Sequence, residues 1–176
     1  DTDPGNAFTI HVMSDLTAKA CARFYDHAVT IVGEGEISPK VSRGAGFATQ
    51  QDTARGTYKP AMIEIQTAKA PASLTLRNII LDDGGLHEGS VFAQAVSQGE
   101  NEGGTPNNST YVQDAIIASN ATVPCTVTLG KDAVLRNFGG MSAVRATDQA
   151  KIVMESGSVI EDTLTGHTRT KAVSYT

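Results

Sequence analysis

Hydrophobic residues occur along this chain in short alternating stretches, which are separated by glycine, asparagine, aspartate and other turn residues. When the sequence is slid against itself, it matches at an offset of 25: residues 126–129 lie over 151–154, and residues 134–137 lie over 159–162. A period of about 25 is typical of a solenoid, in which each repeat forms one structural unit. The repeat therefore predicts a stack of similar units.

Each unit divides into three apolar stretches. In the three clearest units they are 74–76, 79–81 and 112–118; then 127–129, 134–135 and 143–146; then 152–154, 159–160 and 172–174. Residues 8–12, 29–32 and 62–65 fit looser units upstream. Strands this short cannot bury a face alone, but they enclose a continuous core when they stack. The pattern predicts an all-β chain, a parallel β-helix (solenoid) with three short strands per coil and about four to five coils.

Helices are expected in one place only. Glycine interrupts the windows between residues 130 and 157 too often for the 3.6-residue period of a helix to be sustained. The stretch from Leu16 to Tyr25 is the exception, because it is rich in alanine, the residue of highest helix propensity. It favours an N-terminal helical turn that begins at Ser14.

Two segments resemble known repeats. Residues 73–82, with the sequence SLTLRNIILD, resemble a rung of the right-handed parallel β-helices of the pectate-lyase-like superfamily. Residues 29–35 resemble the opening coil of such repeats in large secreted or wall-anchored surface proteins of gut Gram-positive bacteria. The resemblance implies a right-handed β-helix in an extracellular protein, secreted or anchored to the cell wall. Because this superfamily hosts lyases, glycoside hydrolases and adhesins on one scaffold, it implies no single function.

Composition narrows the class of partner. The chain has 176 residues, which suits a single β-helix domain over 1–176. Its net charge of -5 excludes a nucleic-acid or anionic-membrane partner, which would need a surplus of Lys and Arg. No apolar run approaches the roughly 20 residues that span a bilayer, so no membrane insertion is expected.

The chain opens without Met or a signal peptide, and we expect a piece of a larger solenoid.

Cysteine and histidine offer no metal chemistry. Cys21 and Cys125 are too far apart and too few for a disulfide framework or a thiolate metal site, and we expect both in the core. The four histidines never approach a ligand spacing such as His-x-x-x-His. No metal and no cofactor is therefore predicted.

The repeat also predicts which polar side chains meet. Alignment of Leu81, Leu135 and Ile160 places Asp82, Arg136 and Glu161 in one column along the stack. Equivalent positions on neighbouring rungs are about 4.8 Å apart, so Arg136 can contact a carboxylate on either side. The column either caps strand ends or forms part of a binding site.

Two long insertions follow the second strand of their units, at residues 44–60 and 83–111. Both are expected to leave from one corner of the solenoid, and insertions of this kind often form the binding face. The candidate ligand-binding residues at this corner are Asp52, Arg55, Tyr58, Asp82, Asp83, His87 and Glu88.

Three classes of function remain open for this chain. The favoured hypothesis is a surface-protein domain that binds a host or dietary ligand, glycan or protein. The alternative is a lacto-N-biosidase-like glycoside hydrolase, because Asp82 or Asp83 with Glu88 would supply a pair of carboxylates. A polysaccharide lyase is less favoured, since the spacing of the acidic and basic residues does not match well the calcium cage and the Arg or Lys base that lyases use. A purely structural spacer is the third class. No catalytic residue is assigned.

The end of the chain supports one further expectation. After Ile160 only residues 172–175 can supply another strand, and the sequence predicts no amphipathic helix that would cover the end of the solenoid. Open ends of a solenoid expose unpaired backbone groups and apolar side chains. We therefore expect further coils, a second copy or a partner chain at the C-terminal end.

Overall fold

The structure, a computed structural model, describes residues 3–44, 61–82, 115–119, 123–138 and 143–161, which contain strands and turns and no helix. The strands are β1 (Ala7–Val12), β2 (Leu16–Ala18), β3 (Ala22–Tyr25), β4 (Ala28–Gly33), β5 (Lys40–Arg43), β6 (Ile63–Gln66), β7 (Ala72–Arg77), β8 (Ile79–Asp82), β9 (Ile116–Ser119), β10 (Cys125–Leu129), β11 (Ala133–Arg136), β12 (Val144–Ala146), β13 (Ala150–Met154) and β14 (Val159–Glu161). The all-β prediction is confirmed for these residues.

The strands form three parallel sheets. The first sheet has the order β1-β4-β7-β10-β13, the second β14-β11-β8-β5-β2, and the third β12-β9-β6-β3. The chain therefore visits the three sheets in turn and moves over by one strand at each return. Parallel strands need such crossover connections, because a tight hairpin joins antiparallel strands only.

The pairing confirms the repeat that the sequence predicts. Val127 pairs with Leu74 on one side and with Ile152 on the other. Leu135 pairs in the same way with Leu81 and Ile160. The offset of 25 between the last two units is thus the register of the sheets.

One apolar cluster contains side chains from all three sheets. Side chains alternate between the two faces of a strand, and the burial pattern of β7 and β10 alternates accordingly. The largest fully buried side chains are Val29, Ile65, Leu74, Leu76, Ile79, Leu81, Ile116, Leu129 and Leu135. The inward columns of the three sheets therefore share one core.

The prediction of a helical turn between Leu16 and Tyr25 is wrong. Residues 16–18 pair with Val41–Arg43, and residues 22–25 pair with Ile63–Gln66. Helix propensity is a weak preference, and here the backbone hydrogen bonds to existing strands override it. The segment thus supplies the edge strands of two sheets. None of the described residues forms a helix that could span a membrane.

The two cysteines differ in exposure and neither is in a disulfide. Cys125 is fully buried in the core, as predicted, whereas Cys21 is half-buried. Burial raises the pKa of Cys125 to about 11. Burial, followed by the negative charge of Glu64, raises the pKa of Cys21 to about 12. Both thiols are therefore protonated at neutral pH.

Candidate functional site

The two long connections start at neighbouring strand ends of the second sheet. β5 ends at Arg43 and β8 ends at Asp82, and the two strands pair with Ser42 opposite Asp82. The ends of parallel strands meet at one edge of a sheet, so both connections leave the same corner. Of the predicted ligand-binding residues, Asp52, Arg55, Tyr58, Asp83, His87 and Glu88 lie outside the described residues.

Asp82 is held at this corner by two donors from β11 and the residue after it. It is 6% exposed. Its Oδ2 accepts a hydrogen bond from Nε of Arg136 at 2.8 Å, and its Oδ1 accepts one from Nδ2 of Asn137 at 2.8 Å. The predicted contact between Asp82 and Arg136 is confirmed. A carboxylate with a charged partner and an amide donor is a firm anchor for the end of β8.

Arg43, at the end of β5, is a second buried charge. It is 7% exposed, and its guanidinium carbon lies 5.9 Å from the ring centroid of Phe138. β5 and β11 are separated by β8 in the second sheet, so this side chain reaches along the stack past one strand. A guanidinium over an aromatic face is stabilised by the ring quadrupole. Arg43 thus links the strand ends on both sides of Asp82.

Glu64, on β6 of the third sheet, is the third buried charge at this corner. It is 3% exposed and lies opposite Arg23 of β3. Its Oε2 accepts a hydrogen bond from Nε of Arg23 at 3.0 Å, whereas its Oε1 accepts none from the described residues. The alternation of the strand places Glu64 on the face opposite to Ile63 and Ile65. β6, which follows the first long connection, is therefore buried on both faces.

Three of these charges, on Arg23, Arg43 and Glu64, act on the thiol of Cys21. The thiol of Cys21 feels the charges of Glu64, Arg23 and Arg43, of which the first raises its pKa and the two arginines lower it. Charges shift a pKa when they lie within a few ångströms of the group. We call Arg23, Arg43, Glu64, Asp82 and Arg136 the charged corner.

The charged corner provides fixed charges for positioning and recognition. Asp82 and Glu64 each have an arginine partner. Glycoside hydrolysis needs one protonated carboxyl group and one free carboxylate that face each other across the substrate. The described carboxylates are therefore better suited to anchor a binding surface than to transfer protons.

In the described part of the chain, no three side chains of His, Cys, Asp or Glu come close enough to hold a metal ion.

Sequence reasoning missed three members of the charged corner, namely Arg23, Arg43 and Glu64. The signal for Arg23 and Glu64 is present in the sequence, because residues 22–25 and 63–66 show the same alternation. Alignment of these two stretches as neighbouring strands would have placed Arg23 beside Glu64. A helical turn between Leu16 and Tyr25, as the alanine content suggests, is incompatible with that alignment of strands.

Comparison with known protein families, with curated proteins and with solved structures finds no match to this chain.

Proposed function

We propose that this chain is a right-handed parallel β-helix of three short strands per coil and that it belongs to an extracellular protein, secreted or anchored to the cell wall. The order of the three sheets and the register of 25 residues support the β-helix. The resemblance of residues 29–35 and 73–82 to the repeats of bacterial surface proteins supports the location.

The β-helix binds a glycan or a protein through the two long connections at the charged corner. The observation that carries this proposal is the pairing of β5 with β8, which brings the starts of both connections together. Binding residues are often found on loops that a rigid scaffold positions. Asp82, tied to Arg136 and Asn137, fixes the base of one connection.

The ligand is contacted by the polar and aromatic side chains of the connections. These are Asp52, Arg55 and Tyr58 in the first and Asp83, His87 and Glu88 in the second. Carboxylate, guanidinium and imidazole groups form hydrogen bonds with sugar hydroxyls or with a protein surface, and a tyrosine ring offers an apolar face. Asp82 contributes by fixing the end of β8, from which the second connection leaves.

Binding is tested by applying the purified chain to a glycan array and to immobilised host surface proteins. Glu88→Ala and Tyr58→Ala are expected to weaken the strongest interaction at least tenfold without lowering the melting temperature. Glu36→Ala is the matched control, because Glu36 is an exposed carboxylate in the connection between β4 and β5. Its affinity should equal that of the unmodified chain.

The same samples are assayed for products. Release of reducing sugar or of unsaturated sugar would identify a glycoside hydrolase or a lyase and overturn the binding proposal. Equal affinities of Glu88→Ala, Tyr58→Ala and Glu36→Ala would show that the ligand binds elsewhere.

A further inference from the structure

The two most exposed large apolar side chains of the described residues belong to neighbouring turns. Met13, in the turn between β1 and β2, is 72% exposed, and Ile37, in the turn between β4 and β5, is 87% exposed. Because β1 pairs with β4 and β2 pairs with β5, the two turns lie side by side between the first and second sheets. Met13 and Ile37 therefore stand at the same corner of the stack.

The turn between β4 and β5 is the longest of the described turns at this corner. It spans residues 34–39, whereas β7 and β8 are joined by Asn78 alone and β10 and β11 by residues 130–132. The chain can thus pass from the first sheet to the second with a single residue. The additional residues of the β4–β5 turn, which include Ile37, are not needed to connect the sheets.

Asn78, on the following coil, holds the β4–β5 turn in place. Its Nδ2 donates hydrogen bonds to the carbonyl oxygens of Gly33 and Gly35 at 2.8 and 3.1 Å. Its Oδ1 accepts one from Oγ of Ser38 at 2.6 Å. These bonds fix the backbone before Ile37 and the residue after it.

The preceding coil holds the same turn from the other side. The amide of Glu34 donates to the carbonyl oxygen of Val12 at 2.9 Å, and Oε1 of Glu34 lies 2.5 Å from Nδ1 of His11. The amide of Lys40 donates to Oδ1 of Asp15 at 2.8 Å. A surface that is already ordered loses less conformational entropy when it binds. The two turns therefore present their apolar side chains on a prearranged surface.

The charge around these side chains is negative. Residues 13–15 and 34–39 contain Asp15, Glu34 and Glu36 and no Lys or Arg. Glu34 is balanced in part by His11, whereas Glu36 is exposed and forms no ion pair with another described residue. Complementary charge speeds association and selects among partners. The corner therefore favours a cationic partner.

We propose that the acidic-apolar patch docks an amphipathic segment of a protein partner, in which lysine or arginine flanks the apolar residues. The patch consists of Met13, Asp15, Glu34, Glu36 and Ile37. Its two apolar side chains contact the apolar face of the segment, and its carboxylates face the cations. The patch lies between the first and second sheets, so the proposal is independent of ligand binding at the charged corner.

The probe is a synthetic peptide of leucine and lysine that forms an amphipathic helix. A scrambled peptide of the same composition, which has the same charge but no apolar face, is compared with it. Fluorescence anisotropy should show at least tenfold tighter binding of the amphipathic peptide to the unmodified chain. Ile37→Ser and Met13→Ser should each weaken this binding at least fivefold, since buried apolar anchors contribute most of the binding energy of an interface.

A further variant and a matched control separate charge from apolar contact. Glu36→Gln removes one charge and no ion pair of the described residues, so it should reduce the dependence of the affinity on salt. Val153→Ser is the control, because Val153 is 43% exposed on β13, at the other side of the first sheet. It should bind like the unmodified chain. Circular dichroism of every variant reports whether it is folded.

Equal affinities for the two peptides, no binding of either, or unchanged binding by folded Ile37→Ser would overturn the proposal. Two other occupants are tested with the same variant. A dimer in sedimentation velocity that Ile37→Ser abolishes would identify a second copy of this chain. Co-sedimentation with phosphatidylcholine vesicles that Ile37→Ser abolishes would identify a membrane surface. Either result would overturn the proposal as well.

Discussion

Asp132 occupies the same position as Asn78 on the adjacent turn between the first and second sheets, and both residues have positive φ angles, of 59° and 48°. Gly157 follows in the next turn with φ of 87°. The left-handed region is disfavoured for most residues, but Gly, Asn and Asp tolerate it. The stack thus turns in the same conformation three times at one corner.

The side chain of Asn78 is expected to contribute more to stability than that of Asp132. Nδ2 of Asn78 donates to the carbonyl oxygens of Gly33 and Gly35 at 2.8 and 3.1 Å, and its Oδ1 accepts from Oγ of Ser38 at 2.6 Å. Glycine removes the strain of positive φ at both positions. Asp132→Gly should therefore change the free energy of unfolding by less than about 1 kcal/mol, whereas Asn78→Gly should lower it by about 1 to 3 kcal/mol.

Urea denaturation of the two variants measures this difference. Equal losses of stability would mean that the hydrogen bonds of Asn78 do not stabilise the turn.

Asp82 is expected to stabilise the fold through its hydrogen bonds with Arg136 and Asn137. Asp82→Ala removes the acceptor oxygens that Asp82 offers to Arg136 and Asn137, and water compensates Arg136 only in part because its side chain is 35% exposed. The free energy of unfolding should fall by about 1 to 3 kcal/mol. Asp82→Asn retains an acceptor oxygen and should lose less. Thermal denaturation compares the two variants, and a larger loss in Asp82→Asn would contradict the role of the hydrogen bonds.

The contact of Asp82 with Arg136 could be predicted from the sequence, whereas that of Arg43 with Phe138 could not. The repeat aligns Leu81 with Leu135, and the rung spacing then brings Asp82 and Arg136 within reach. Phe138 lies beyond the end of β11, where the repeat defines no register. A contact between side chains two strands apart does not appear as a periodic pattern in the sequence.

The ligand-binding residues are the least predictable part of the site. Residues 44–60 and 83–111 interrupt the repeat, so no neighbouring unit fixes the register of Tyr58 or Glu88. The repeat constrains where these connections start, because their preceding strands pair. It carries no information on how their side chains converge.

The degree of burial of the inward side chains in one column predicts how much stability is lost when each is shortened to alanine. Leu74 is fully buried between its neighbours, whereas Ile152, two strands away in the same column, is half-buried on the edge strand β13. Leu74→Ala should lower the free energy of unfolding by about 2 to 5 kcal/mol, since it leaves a cavity. Ile152→Ala should cost less than half of that. Guanidinium denaturation tests the ranking, and a reversed order would contradict the assigned core.

Asp26 gives the stability a specific dependence on pH. It lies after β3, is 8% exposed, and has φ of 58°. Its Oδ1 accepts hydrogen bonds from the backbone amides of Ala68, Lys69 and Ala70, at 2.5 to 3.2 Å. The bonds from Ala68 and Lys69 are the main cause that lowers the pKa of Asp26 below its ordinary value of 3.8. The three amides thus stabilise the ionised carboxylate in the folded state.

The stabilisation from Asp26 is fully present above pH 3.8 and is lost as the pH falls through the lower pKa of the folded state. Asp26→Asn keeps an acceptor for the three amides but has no charge to titrate. Its stability should therefore fall less steeply below pH 3.8, so that the advantage of the unmodified chain at pH 7 shrinks on acidification. Urea titrations between pH 2 and 7 measure both curves. Parallel curves across this range would show that the carboxylate of Asp26 is not the group whose protonation weakens the fold.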